Sequence, residues 1–372
     1  MSSPPTTPKT PIWLDVDTGH DDAFALLLAA HHPSVELLGV STVYGNASLE
    51  DTTRNTLSIL TALNRASVPV YAGSPRAYCR GPASAPDIHG ATGLDGTTGL
   101  PAPSFAPRTD VPAITAIHAA LAAQLRGKAW LVATGALTNI ALLFAAHPAL
   151  AEHIGGVSIM GGAVGGGFTG AALGRLGGEG ERFGNWTPWA EYNIYVDPES
   201  AQAVLEHPAL APRGKIVLVP LDLTHQFLAT PDVLSRVLHG PDPEAGRRPP
   251  SPTRTLFHEI LTFFAATYAD VFGLTAGPPL HDPLAVAAAF APGLFSDGDA
   301  GEGEGARYAI RVVTDGEHGD SMHIRSGASQ CGRTVATELP RGQQGVRIPK
   351  ALNIPELWAL LEGCLERAEA EA

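Results

Sequence analysis

Ile12-Trp13-Leu14-Asp15-Val16-Asp17-Thr18-Gly19-His20-Asp21-Asp22-Ala23-Phe24-Ala25-Leu26-Leu27-Leu28 decides how the chain is read. A short apolar run stops at Thr18-Gly19 and resumes as a run too apolar to face water. That pattern predicts a buried strand, a tight loop and a buried helix. Asp15, Asp17, Asp21 and Asp22 crowd around the turn. Carboxylates this close repel one another unless positive charge stands among them. The N-terminus of the new helix supplies part of it, and a hard cation with oxygen ligands is suited to supply the rest.

The same strand–helix alternation continues outward. Residues 35–44 read as a second buried strand, and Ser48 with Asp51 three places on signals the cap of a helix striped by Leu57, Leu60 and Leu63. Residues 68–72 read as a short strand and 79–100 as a polar loop; 111–126 and 137–147 read as helices around a strand at 129–134. Strands at 157–160 and 216–221 follow, separated by a segment, 161–184, in which 11 of 24 residues are glycine. Beyond a Pro/Arg-rich loop at 240–252, helices are expected at 253–270, 284–290 and 355–370, with residues 307–314 and 322–325 forming an antiparallel hairpin. Short breaks between alternating elements imply an α/β fold: one large domain, residues 12–370, with an open, mostly parallel sheet flanked by helices and a small antiparallel edge near the C-terminus. Residues 1–11 read as a disordered tail.

Composition sets the class. At 372 residues, 44% hydrophobic and 16% charged, the chain is globular. Its formal charge of −13, with no basic run, argues against a nucleic-acid partner. No apolar stretch is long enough for a membrane span, and the first eleven residues lack the apolar core of a secretory signal. Cys79, Cys331 and Cys364 are odd in number and far apart, which argues against a disulfide framework. The expectation is a cytoplasmic protein, with the nucleus also open to it, that is not secreted.

In an open α/β sheet, ligands bind beyond the carboxyl ends of the strands. The polar residues there are Asp17, Asp21 and Asp22 after the first strand, Asn46 after the second, and Thr134 and Met160 after later ones. Period-two alternation in residues 191–196 puts Glu191 and Asn193 on one face, and His281-Asp282-Pro283 opens a helix far downstream. Each has an ordinary role when taken alone. Asp282 before a proline is a normal N-cap, Asn46 suits a turn, Met160 suits a core, and His89 and His281 are more often structural. Their joint occurrence at strand ends is what points to a site. Carboxylates, amides and histidine without lysine or arginine suit a neutral polyol better than a phosphate. Gly165 to Gly170 fits the GxGxxG dinucleotide pattern, but glycine is so dense here that a chance match is expected. Asp15-Val16-Asp17 matches aspartyl phosphotransferases only in part, because Gly19 stands where they need threonine or valine.

Residues 15–23, Asp-Val-Asp-Thr-Gly-His-Asp-Asp-Ala, closely resemble the DxDxGxDDA signature of nucleoside hydrolases of the inosine–uridine preferring type. Residues 43–46, 88–90, 134–139, 160–162, 185–193 and 281–285 match further family segments in family order. The looser likeness is to fungal uridine ribohydrolases. The resemblance implies Ca²⁺ held by Asp17, Asp22, the Thr134 carbonyl and Asp282, with Asp17 as general base for the attacking water. It implies that Asp21, Asn46, Met160, Asn185, Glu191 and Asn193 hold ribose, that His281 with His89 protonates the departing base, and that the partner is a small-molecule nucleoside. A homo-oligomer is implied by the same analogy. The chain departs from the family at Thr18, where proline is usual, and in the longer glycine-rich segment, which brings Trp186 and Trp189 near the site as a lid. Tyr268 and Phe272 are expected to stack on the base. The readings from other classes are a dinucleotide-binding oxidoreductase using Gly165–Gly170 and a catalytically silent ribose-binding protein.

Overall fold

A computed structural model of the chain describes residues 8–81, 84–173, 183–241, 249–298, 305–319 and 329–371. The strands are β1 (Thr10–Val16), β2 (Val35–Thr42), β3 (Val70–Ala72), β4 (Trp130–Ala133), β5 (Gly156–Met160), β6 (Ile216–Val219), β7 (Phe295–Ser296), β8 (Arg307–Val312), β9 (Thr334–Glu338), β10 (Val346–Arg347) and β11 (Ala351–Leu352). Among the described residues, nine of them form one sheet in the order β3-β2-β1-β4-β5-β6-β10-β8-β9. Pairing is parallel from β3 to β10 and antiparallel for β8 and β9. The chain builds outward from β1 through β2 to β3, then crosses to β4 on the other side of β1. The crevice between β1 and β4 is therefore the place where connections leave in opposite directions, the usual binding position in such sheets.

Side-chain alternation divides the core between the two faces. Ile12, Leu14 and Val16 enter one buried cluster and Trp13 the other; Val132 and Leu131 of β4 divide the same way. Helices Leu49–Ala62, Pro252–Phe272, Asp282–Phe290 and Ile354–Ala370 contribute to the first cluster, and Ala113–Ala122, Thr138–Ala146 and Pro198–Leu205 to the second. Helix His20–His31 belongs to the first and is buried on all sides, as its uninterrupted apolar run requires. Ser48 caps Leu49–Ala62 by accepting the Asp51 amide.

Four local expectations change. β1 begins at Thr10, so residues 10 and 11 belong to the sheet; residues 1–7 lie outside the described residues. β8 pairs with β10 on one side and with the edge strand β9 on the other, and the expected partner at 322–325 lies outside the described residues. β7 and β11 form a second antiparallel pair, which the sequence does not signal. Residues 192–196 are a short helix rather than an extended run, because the Glu191 side chain accepts the first-turn amides of Asn193 and Ile194. No helix is long and apolar enough to cross a membrane among the described residues.

Candidate active site and acid cage

The loop after β1 and the first turn of His20–His31 bring three acids together at the switch point. Asp22 accepts the Gly19 amide at 2.9 Å, the Thr134 hydroxyl at 2.8 Å and the Asn46 side chain at 3.3 Å, so it joins the ends of β1, β2 and β4. Asp17 accepts the Asn46 amide at 2.9 Å through Oδ2, while its Oδ1 is buried with no partner among the described residues. Asp282 arrives from the start of Asp282–Phe290. One oxygen each from Asp21, Asp22 and Asp282 lie within 4.8 Å of one another, and Asp282 feels the charges of Asp21, Asp22 and Asp17. Gly45 is obligatory here, since a Cβ there would overlap the Asp17 carboxylate.

Among the described residues these acids are buried without a basic partner. Burial pushes Asp17, Asp22 and Asp282 up and carries Asp21 to about 8; the neighbouring carboxylates push Asp17, Asp21 and Asp282 further. Asp15 sits one step away and is pushed to about 7 by burial, although Ser41 and Asn139 donate to it. Such a cluster must either share protons or hold a cation. The bare Oδ1 of Asp17, the close triad and the second lone pair of the Thr134 carbonyl, whose first accepts Asn193 at 2.7 Å, fit a hard divalent cation.

A cleft opens over this cage, with about 320 Å³ of space when the open solvent at its mouth is counted. Asp21, Asn46, Thr134, Met160, Asn185, Glu191, Asn193, His89, His281 and Asp282 line it together with Tyr192, Phe264 and Tyr268, and none is lysine or arginine. Asp17 and Asp22, fully buried, connect to it through Asn46 and Thr134. Glu191 is held by three amides, Gly162 at 2.9 Å, Asn193 at 2.8 Å and Ile194 at 3.1 Å. The Asn185 side chain accepts the Tyr192 amide at 2.9 Å and meets Tyr268.

Two histidines line the same cavity, His281 beside Asp282 in the chain. His281 lies between two hydroxyls, Thr224 at 2.7 Å from Nδ1 and Tyr268 at 2.8 Å from Nε2. His89 meets the His20 ring at 3.2 Å. Burial pulls His281 and His89 well below the ordinary histidine value, and neighbouring imidazoles add to the effect. Tyr268 therefore bonds His281, and Phe264, one turn away on the same helix, is the apolar ring at the cavity. Phe272 packs on Tyr268 with ring centres 5.1 Å apart and is not part of the lining.

The chain matches the profile described as inosine-uridine preferring nucleoside hydrolase over residues 12–359. It belongs to that family. It is 38% identical to the uridine nucleosidase of Saccharomyces cerevisiae over 98% of both chains. It is 39% identical to a pyrimidine-specific ribonucleoside hydrolase of Shewanella oneidensis, over 78% of this chain and 80% of that one. The fold superimposes on the purine-preferring ribonucleoside hydrolase of Gardnerella vaginalis with a TM-score of 0.76 at 24% identity, over 97% of this chain and 100% of that one. The protein is thus an enzyme that hydrolyses ribonucleosides.

Three features distinguish this nucleoside hydrolase locally. Thr18, in place of proline, is held by a 2.6 Å contact between its hydroxyl and that of Thr56, and its carbonyl accepts Asn55 at 3.1 Å, so side-chain bonds replace the rigidity of a ring. The amides of Val164 and Gly165, which a dinucleotide phosphate would need, donate instead to the buried carboxylate of Asp222 at 2.8 and 2.9 Å. Trp186 is buried against Tyr192, and Trp189 lies beside Phe183 and under Arg333; neither lines the cavity, and residues 174–182 of the expected lid lie outside the described residues. Sequence reasoning missed Thr224, Tyr192 and Phe264, whose only signal was proximity in the fold.

Proposed function

We propose that the chain is a Ca²⁺-dependent ribonucleoside N-ribohydrolase acting on pyrimidine nucleosides, uridine first. The observation that carries this is the buried cage of Asp17, Asp21, Asp22 and Asp282 with one carboxylate oxygen left bare. Asp17, Asp22, the Thr134 carbonyl and Asp282 hold the ion. When bound, Ca²⁺ lets the acids ionise side by side and acts as a Lewis-acid centre for the sugar's oxygens. Asp21, Asn46, Asn185 and Asn193 orient the ribose, with Met160 against it. Asp17 takes a proton from the water that attacks C1′ as the bond from C1′ to the base nitrogen breaks. Glu191, locked by three amides, offsets the positive charge that develops on the ring. His281 delivers the proton that the departing base requires, with the Tyr268 hydroxyl in place to relay it. The 38% identity to a uridine nucleosidase along the whole chain supports the choice of base.

The dinucleotide reading loses its support because Asp222 occupies the amides of the glycine loop. Uridine, cytidine, inosine, adenosine and nicotinamide riboside, assayed for free ribose with and without chelator, test the proposal. Release is expected from uridine fastest and only with calcium present. Tight nucleoside binding without ribose would instead establish the silent binding protein. The same reading places the enzyme in the cytoplasm as a homo-oligomer, for which light scattering gives the mass.

A further inference from the structure

His20, inside the acid signature, touches none of the groups given a part in the reaction except His89, yet it is wholly buried. Its ring lies parallel to Phe263 and Phe264, with centres 4.9 and 5.5 Å away. Its Nε2 is 3.0 Å from the Asp95 carbonyl, and its Nδ1 is 3.2 Å from Nδ1 of His89. A carbonyl only accepts, so the His20 proton is on Nε2 and its Nδ1 offers a lone pair. Among the described residues neither ring nitrogen has a carboxylate partner, and the ring is neutral between its phenyl neighbours. Of the two contacts at His89 Nδ1, the ring contact at 3.2 Å is shorter than the approach of the His20 backbone N–H at 3.5 Å, and it puts the proton on His89 Nδ1.

We propose that His20 is a positioning residue that locks His89 in the Nδ1–H tautomer and turns a bare Nε2 toward the cavity. His89 lines that cavity, and its Nε2 has no protein partner among the described residues. The surrounding loop keeps the lock closed. The Asp95 side chain accepts the amides of Ala91 and Thr92, which fixes the carbonyl that His20 reads. Gly19 has no Cβ, and one placed there would come within 2.5 Å of His89 Nδ1. The consequence for the enzyme is a sharper division of labour. His281, between two hydroxyls that each donate or accept, can carry its proton on either nitrogen, whereas His89 is an acceptor. Resting on the nucleoside reading above, the site selects a ligand with a hydrogen-bond donor at that point, either a ring N–H of the base or the sugar 5′-hydroxyl.

The His20 backbone N–H points at the same His89 Nδ1 from 3.5 Å and donates to it in the other tautomer, the longer and weaker of the two contacts. In His20→Phe it becomes the sole partner left, so the His89 proton moves to Nε2 and the acceptor is lost. His20→Gln, whose amide both donates and accepts, restores the lock. Long-range proton–nitrogen spectra of histidine-labelled protein, with the His89 signals identified by their loss in His89→Asn, read the tautomer directly. A protonated His89 Nε2 in the wild-type protein overturns the proposal. Uridine, 3-methyluridine and 5′-deoxyuridine then identify the donor. In the wild-type enzyme one analogue is expected to lose roughly tenfold or more in kcat/KM, the worth of about one hydrogen bond. Loss with 3-methyluridine assigns the base and loss with 5′-deoxyuridine assigns the sugar, and either supports the lock. His20→Phe is expected to erase that discrimination and His20→Gln to recover it. Equal rates on all three substrates, or discrimination intact in His20→Phe, overturn it. A wild-type protein inert on every nucleoside would sink the hydrolase reading, while the spectra would still decide the tautomer.

Discussion

Stripping divalent ions with a chelator and titrating calcium back, at pH 8 and at pH 5, probes the acid cage most directly. The fold holds Asp17, Asp21, Asp22 and Asp282 above their ordinary values, Asp21 at about 8, chiefly by burial. A raised carboxyl favours the protonated folded state. Its contribution is therefore complete below the unfolded value near 4 and is lost as pH rises through the folded value. In the ion-free protein, stability should fall between pH 4 and pH 8. Calcium binds the ionised form and stabilises the fold most where protons compete least. At a hundredfold excess over Kd the gain is about 2.7 kcal/mol. For 372 residues, an unfolding entropy of roughly 0.8 kcal/mol/K converts this to a rise in Tm of about 3 °C at pH 8. At pH 5 the rise should shrink below about 1 °C. Differential scanning calorimetry reads both. No rise at pH 8, or the same rise at both values, refutes the cage as a cation site.

Asp17→Asn should abolish ribose release from uridine, a loss of at least roughly 10²-fold in kcat; full calcium-dependent turnover would remove the general-base role. His281→Ala should lower kcat on uridine by about 10²–10⁴ with KM little changed, checked by steady-state kinetics. Arg254, buried beside Glu362 and Glu369 between two helices away from the cavity, should cost about 3 kcal/mol when changed to alanine, because Glu362 is left buried and unpaired. Urea denaturation reads that loss, with kcat/KM on uridine unchanged.

Most of the fold was readable because its signals are local. The run from Ile12 to Val16 is buried on both faces, which is what a central parallel strand requires, and the Ser48 cap is a contact between near neighbours in the chain. The short helix at Tyr192–Val196 carries no distinguishing signal for an equally local reason. Six residues of alternating character do not separate a strand from a single helical turn. The choice is made by the Glu191 side chain, which supplies the first-turn amides with an acceptor that a strand would have found in its neighbour. The pairing of β8 with β10 and β9 joins segments far apart in the chain and leaves no local signal, and residues 322–325 lie outside the described residues.

The site divides along the same line. Its acids announce themselves, because four carboxyls around one turn are costly without a compensating charge and leave a mark in composition alone. What surrounds the histidines leaves no such mark. Thr224 stands 57 residues before His281, and an isolated threonine fits any short helix. Tyr268 reads equally as a ring for stacking or a hydroxyl for bonding, and only the 2.8 Å approach to Nε2 selects the second. These neutral partners decide which nitrogen of each imidazole bears a proton, and hence which histidine can donate and which can only receive. Hydroxyls on His281 leave that choice free, whereas an acceptor-only carbonyl, acting through His20, removes it from His89. An acid for the departing base needs the freedom and a recognition group needs the lock. The two histidines therefore differ in role through their neighbours, although the sequence presents them alike.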